Sequence, residues 1–95
     1  MAMQVMSALA QPTRLEVWRT LVERLPDGMA AGDIAKALGL AKTALSPHFA
    51  ILTAAGLLSS RKVGRSVIYK AEIDPADGLR GFLVQAVQSG RPAKF

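Results

Sequence analysis

Three observations predict a mainly α domain with a small β-hairpin. Apolar residues recur at helical spacing through most of the chain. Gly39 and Gly56 punctuate its middle into two short helices. Beyond them Val67, Ile68 and Tyr69, all strong strand formers, follow a Val63-Gly64 tip.

Met3, Met6 and Leu9 fall on one side of a helix over residues 2–9. A helix this short is marginal alone in water and needs a surface to lie on. Pro12 suits the first turn of the next helix, where its missing N–H has no partner to lose. That helix is expected to run to about Arg24, with Leu15, Trp18, Leu21 and Val22 on one face and Arg14, Arg19 and Glu23 outside. Pro26-Asp27-Gly28 breaks the chain.

Residues 31–38 form a third helix, Gly39-Leu40 a turn, and residues from about Lys42 to Ala55 a fourth helix with Leu45, Phe49 and Leu52 inward. Ala35, Gly39 and Leu45 stand at the spacing of a helix-turn-helix: a small residue for close approach, a left-handed glycine, an apolar seal. Ala30 and Ala41 are weak N-caps. Pro47 predicts a distorted first turn, with the helix starting late, near Thr43–Ser46, or kinked. Strands over 57–62 and 65–71 make the hairpin, with Tyr69 packed beneath it. Asp74-Pro75 opens a last helix in which Leu79, Phe82, Leu83, Ala86 and Val87 keep the i, i+3, i+4, i+7, i+8 rule, and Gly90-Arg91-Pro92 ends it. The order is that of a winged helix-turn-helix with additional N- and C-terminal helices. Residues 1–90 are read as one domain and residues 91–95 as a flexible tail.

The chemistry is narrow. The chain has 95 residues, a net charge of +5 and no cysteine. Disulfides, thiolate metal sites and cysteine nucleophiles are excluded. No Ser/His/Asp set, paired carboxylates, phosphate loop or metal-ligand spacing is present, so no enzyme, cofactor or metal is expected. No membrane span is visible. Met1–Ala10 ends in Ala-Leu-Ala but no Lys or Arg precedes it, so a targeting segment is not expected and a cytoplasmic location is. Between Asp33 and Glu72 there is no acidic residue, whereas Lys36, Lys42, Arg61, Lys62, Arg65 and Lys70 are basic. A helix pair followed by an acid-free basic ribbon fits a polyanion.

The expected DNA-binding residues are Lys42, Thr43, Ala44, Ser46, Pro47 and His48 at the start of the fourth helix, where a reading helix brings its N-terminal end to the base edges. Arg61, Lys62 and Arg65 flank the hairpin tip, in reach of the backbone and of a minor groove. The bland alternatives are a solvated helix face and an edge ribbon kept soluble by charge. His48 is the sole histidine and cannot make a metal site alone. A core this small often hides more apolar surface by pairing. The expected dimer residues are Met3, Met6, Leu9, Leu79, Phe82, Leu83 and Val87. The rival is a winged helix used for protein–protein contact, its basic face on an acidic partner.

Five ordered segments carry a resemblance. Ala8-Leu-Ala-Gln-Pro-Thr-Arg14, Asp33-Ile-Ala-Lys-Ala-Leu-Gly-Leu40, Leu45-Ser-Pro-His-Phe-Ala-Ile-Leu52, Ala55-Gly-Leu-Leu58 and Gly64-Arg-Ser-Val-Ile-Tyr69 resemble the ArsR/SmtB family over about residues 5–90. The resemblance implies a homodimeric bacterial repressor on a palindromic operator, released by an effector. It also implies that Arg14, in the Pro-Thr-Arg motif, packs across helix ends or meets a backbone carbonyl. The family's sensor sites use cysteines, or His and acidic residues on the last helix. This chain offers Asp74 and Asp77 there without a histidine, and Val87 and Gln88 where one arsenic-responsive branch has a cysteine pair. Cysteine-based sensing is therefore not implied; an unidentified small molecule, a partner protein or no effector at all remain open.

Overall fold

The computed structural model of the chain describes residues 2–73. Its elements are α1 (Ala2–Leu9), α2 (Pro12–Val22), β1 (Met29–Ala30), α3 (Ala31–Leu38), α4 (Lys42–Ala54), β2 (Leu58–Val63) and β3 (Ser66–Ala71). The expected last helix, with Leu79, Phe82, Leu83 and Val87, and the tail 91–95 lie outside the described residues.

The helical part follows the sequence closely. Gln11 caps α2, its side-chain oxygen accepting from the Arg14 N–H at 2.7 Å, and Pro12 opens the helix. Ala30 and Ala41 make no side-chain cap bond. α3 and α4 stop in the same way. Gly39 takes φ +67° and the Leu40 N–H reaches back to the Ala35 carbonyl at 3.0 Å. Gly56 takes φ +77° and the Leu57 N–H reaches the Leu52 carbonyl at 2.9 Å. Both close the orphan carbonyls of a helix end with a left-handed glycine.

Four expectations are corrected. α2 ends at Val22, not Arg24; Leu21, Trp18 and Val22 pack on the core as expected, but Val17 is buried beside them and Leu15 is 37% exposed. With apolar residues at 15, 17, 18, 21 and 22 the phase of burial is set by what the helix meets, α1 on one side and α4 on another. α4 does not start late: it is unbroken from Lys42 to Ala54 with Pro47 inside. The proline withholds one donor from the Thr43 carbonyl, but both residues are exposed, so water can satisfy it. The hairpin is part of a three-stranded antiparallel sheet, order β1-β3-β2. Its tip is Gly64-Arg65 rather than Val63-Gly64, since Val63 pairs with Ser66. Gly64, at φ +61°, supplies the positive φ that a two-residue loop of the Gly-X kind needs at its first position.

One core serves all layers. Val5 and Ala8 from α1, Val17 and Leu21 from α2, Ile34 and Ala35 from α3, and Leu45, Phe49 and Leu52 from α4 meet Leu57, Leu58 and Ala71 at the base of the sheet. Full burial of each large aliphatic side chain contributes about 1.5–3 kcal/mol. The Phe49 ring stacks on Tyr69, centroids 4.3 Å apart and planes at 25°, joining α4 to the sheet. α1 is two-faced: Val5 is 1% exposed, whereas Met3 is 84% and Met6 37% exposed. Leu9 packs partly against the subunit's own core. Trp18 packs there too, and its buried indole N–H has no acceptor among the described residues.

The short β1 strand depends on Gly28. Its φ is +82°, and a Cβ built on it would collide with the Tyr69 carbonyl oxygen. Gly28→Ala is expected to lose about 2 kcal/mol or more of stability, from left-handed strain plus overlap. Urea denaturation against the parent checks this; an unchanged midpoint would mean that β1 is not held against β3 as described.

Candidate nucleic-acid interface

α4 is aimed by its buried stripe. Leu45, Phe49 and Leu52 point inward at i, i+4 and i+7, so Thr43 and Pro47 lie opposite that stripe and Ala44 and Ser46 flank it, all four exposed, whereas Lys42 shares the stripe's side and is exposed at the helix start. With an alanine N-cap, the first-turn N–H groups gain no side-chain acceptor; that of Ala44 donates to the Ala41 carbonyl at 3.0 Å, and those of Lys42 and Thr43 stay available to an anion. The first turn carries no acidic residue, so nothing opposes one electrostatically.

His48 is placed differently from its neighbours. It is half-buried, and its Nδ1 lies 3.4 Å from an Arg14 guanidinium nitrogen. Arg14 also donates through Nε to the Ala8 carbonyl at 2.7 Å, as the Pro-Thr-Arg motif leads one to expect. The carbonyl contact was readable from the motif. The link to His48, 34 residues away, had no signal in the sequence.

The strand register sorts the cations of the hairpin. Residues paired directly across an antiparallel ladder share a face, and neighbours along a strand alternate. Ser60 pairs with Tyr69 and Lys62 with Val67, so Lys62 shares the face on which Tyr69 stacks against α4. Arg61 pairs with Ile68 and Ser59 with Lys70, so Arg61 and Lys70 belong to the other face. Arg61 also donates to the Asp27 carbonyl at 3.4 Å, in the loop before β1. Arg65 sits in the tip itself, exposed. The structure therefore groups Lys62 with the α4 side and separates Arg61 from it.

Charge is distributed accordingly. Glu72 at the base of the sheet accepts from the Ser59 hydroxyl at 2.7 Å. Among the described residues the one ion pair is Arg19–Glu16 on α2, at 3.0 Å. Lys42, Lys62 and Arg65 thus have no carboxylate partner among the described residues. No group of three or more His, Cys, Asp or Glu in the described part is arranged to hold a metal ion. No described helix is long and apolar enough to cross a membrane.

Comparison with known proteins agrees with this fold. Residues 9–61 match the helix-turn-helix domain family. The nodulation protein NolR of Rhizobium meliloti is 35% identical over 78 residues, 82% of this chain and 62% of that protein. A solved structure of NolR from Sinorhizobium fredii is similar with a TM-score of 0.71 and 32% identity, covering 88% of this chain and 81% of that one. An ArsR-like transcriptional regulator from Rhodococcus sp. RHA1 is similar with a TM-score of 0.71 and 27% identity, covering 93% and 80%. The chain spans about three-fifths of the length of the curated relatives it matches, 62% and 59%.

Proposed function

Because this chain belongs to the helix-turn-helix family, among the ArsR-type winged-helix transcriptional regulators, we propose that it is a homodimeric repressor that reads double-stranded DNA. The observation that carries this reading is the exposed, acid-free start of α4 on the same side as Lys62 of the hairpin. Lys42, Thr43, Ala44, Ser46 and Pro47 face the major groove, with Lys62 and Arg65 on the adjacent backbone and Arg61 contributing least. His48 supports the helix from behind rather than leading the contact.

Dimerisation follows from α1, whose outer face leaves Met3 and Met6 in solvent. A twofold interface uses this patch twice, together with the expected C-terminal residues. Two reading helices then meet successive major grooves roughly 34 Å apart on an imperfect palindrome. Covering a promoter would repress it. Release would need an effector, a small molecule or a protein, that favours the DNA-free state.

Lys42→Ala tests the reading. It should weaken binding across sequences and lower the slope of log affinity against log salt by about two, one per subunit, with melting unchanged. Arg61→Ala should change that slope much less. Equal losses from the two variants, or unfolding by Lys42→Ala, would contradict the assignment of faces. The rival reading, a protein-binding module, predicts no preference for duplex DNA sequence.

A further inference from the structure

Helix α1 is tied to α4 at two places. Near the end of α4, Gln4 Nε2 donates to the Ala54 carbonyl at 3.3 Å. Near its start, Arg14 spans the gap: Nε donates to the Ala8 carbonyl at 2.7 Å, a terminal nitrogen reaches the Ser7 carbonyl at 3.5 Å, and the other faces His48 Nδ1 at 3.4 Å. The Ala8 and Ser7 carbonyls belong to the last turn of α1, which has no intrahelical donors of its own. A guanidinium is planar, carries five donors and accepts nothing. It can therefore join an acceptor on α1 to an acceptor on α4, and His48 Nδ1 must be that second acceptor.

From this we propose that Arg14 is a positioning residue for the reading helix, holding α4 to α1 through His48 Nδ1 so that a second copy of this chain seated on the outer face of α1 sets the angle at which α4 meets DNA. The proposal rests on the DNA-binding reading above and adds its regulation. His48 then acts inward through Nδ1 rather than outward through Nε2. A second subunit seated on Met3 and Met6 acts on the Ser7 and Ala8 carbonyls and, through one side chain, on the turn of α4 that carries Ser46 and Pro47. Coupling between two sites needs such a physically shared element.

Two histidine variants separate the inward role from a DNA contact. Asn places an oxygen where Nδ1 stood and has nothing at Nε2; Gln does the reverse. The full chain is measured against a duplex selected from a random-sequence library by the parent protein. The expected result is that H48N binds within about twofold of the parent, whereas H48Q, H48L and R14K each lose about tenfold. R14K keeps the charge but lacks the fork that spans both acceptors. Hydrogen exchange without DNA supplies the independent readout: amides 6–10 should stay protected in H48N and exchange faster in R14K and H48L. The opposite order, H48Q retaining affinity and H48N losing it, would overturn the proposal and make His48 a DNA contact. Equal exchange in all variants would overturn it as well. Exchange that follows the expected order in a protein that selects no duplex would overturn the DNA-binding reading and leave only the mechanical link.

Discussion

Phe49→Ala is expected to remove about 3–5 kcal/mol of folding stability. Phe49 is 4% exposed, lies in the shared core, and stacks on Tyr69 at 4.3 Å. Removing the ring leaves a cavity between α4 and the sheet and also deletes the aromatic pair that fixes their mutual position. A domain of this size has about 5–15 kcal/mol in total, so the loss is about a fifth or more of it. Phe49→Leu, closer in volume, should cost less than about 1.5 kcal/mol. Urea unfolding at one fixed protein concentration reads both, since pairing of subunits would otherwise shift the midpoint. If Phe49→Ala unfolds like the parent, α4 is not seated on the sheet through this ring.

Salt will have the larger effect on binding. With three or four cations per subunit on phosphate, a dimer displaces the counterions of roughly six to eight phosphates, and affinity should fall about 10³-fold or more between roughly 50 and 200 mM salt. Lys42, Lys62 and Arg65 have no carboxylate partner among the described residues, so DNA need not displace one there. Titration of a labelled duplex at several salt concentrations measures the slope. A nearly flat plot would mean that the basic residues are not what the duplex meets, and would favour an apolar or protein partner instead.

Where each residue's local chemistry agrees with its tertiary role, the sequence was enough. Gly39 and Gly56 end α3 and α4 because only glycine takes those backbone angles without strain, and the stripe Leu45, Phe49, Leu52 gives α4 its orientation. The exposed candidates Thr43, Ala44, Ser46 and Pro47 follow from that stripe, and Lys42 from its place at the helix start. What was hidden depends on contacts between distant segments. β1 has two residues and no pattern of its own; it exists because Gly28 lets the chain approach Tyr69. Arg61 and Lys62 look equivalent side by side in the sequence, and only the pairing with Ile68 and Val67 puts them on opposite faces. The tip was displaced by one residue because Val63 and Gly64 are both plausible in a turn, whereas the ladder ends at Val63–Ser66. His48 looked like one more outward residue of α4; it is half-buried, with its Nδ1 3.4 Å from the guanidinium of Arg14, far away in sequence.

Footprinting on the DNA upstream of the gene that encodes this chain tests the proposed role most directly. Two protected half-sites of similar sequence, inverted and centred about 10 base pairs apart, are the expected result, with protection lost in Lys42→Ala. Uniform or absent protection at protein concentrations that shield a control duplex would contradict it, because a paired set of α4 helices on an operator cannot leave that region unmarked.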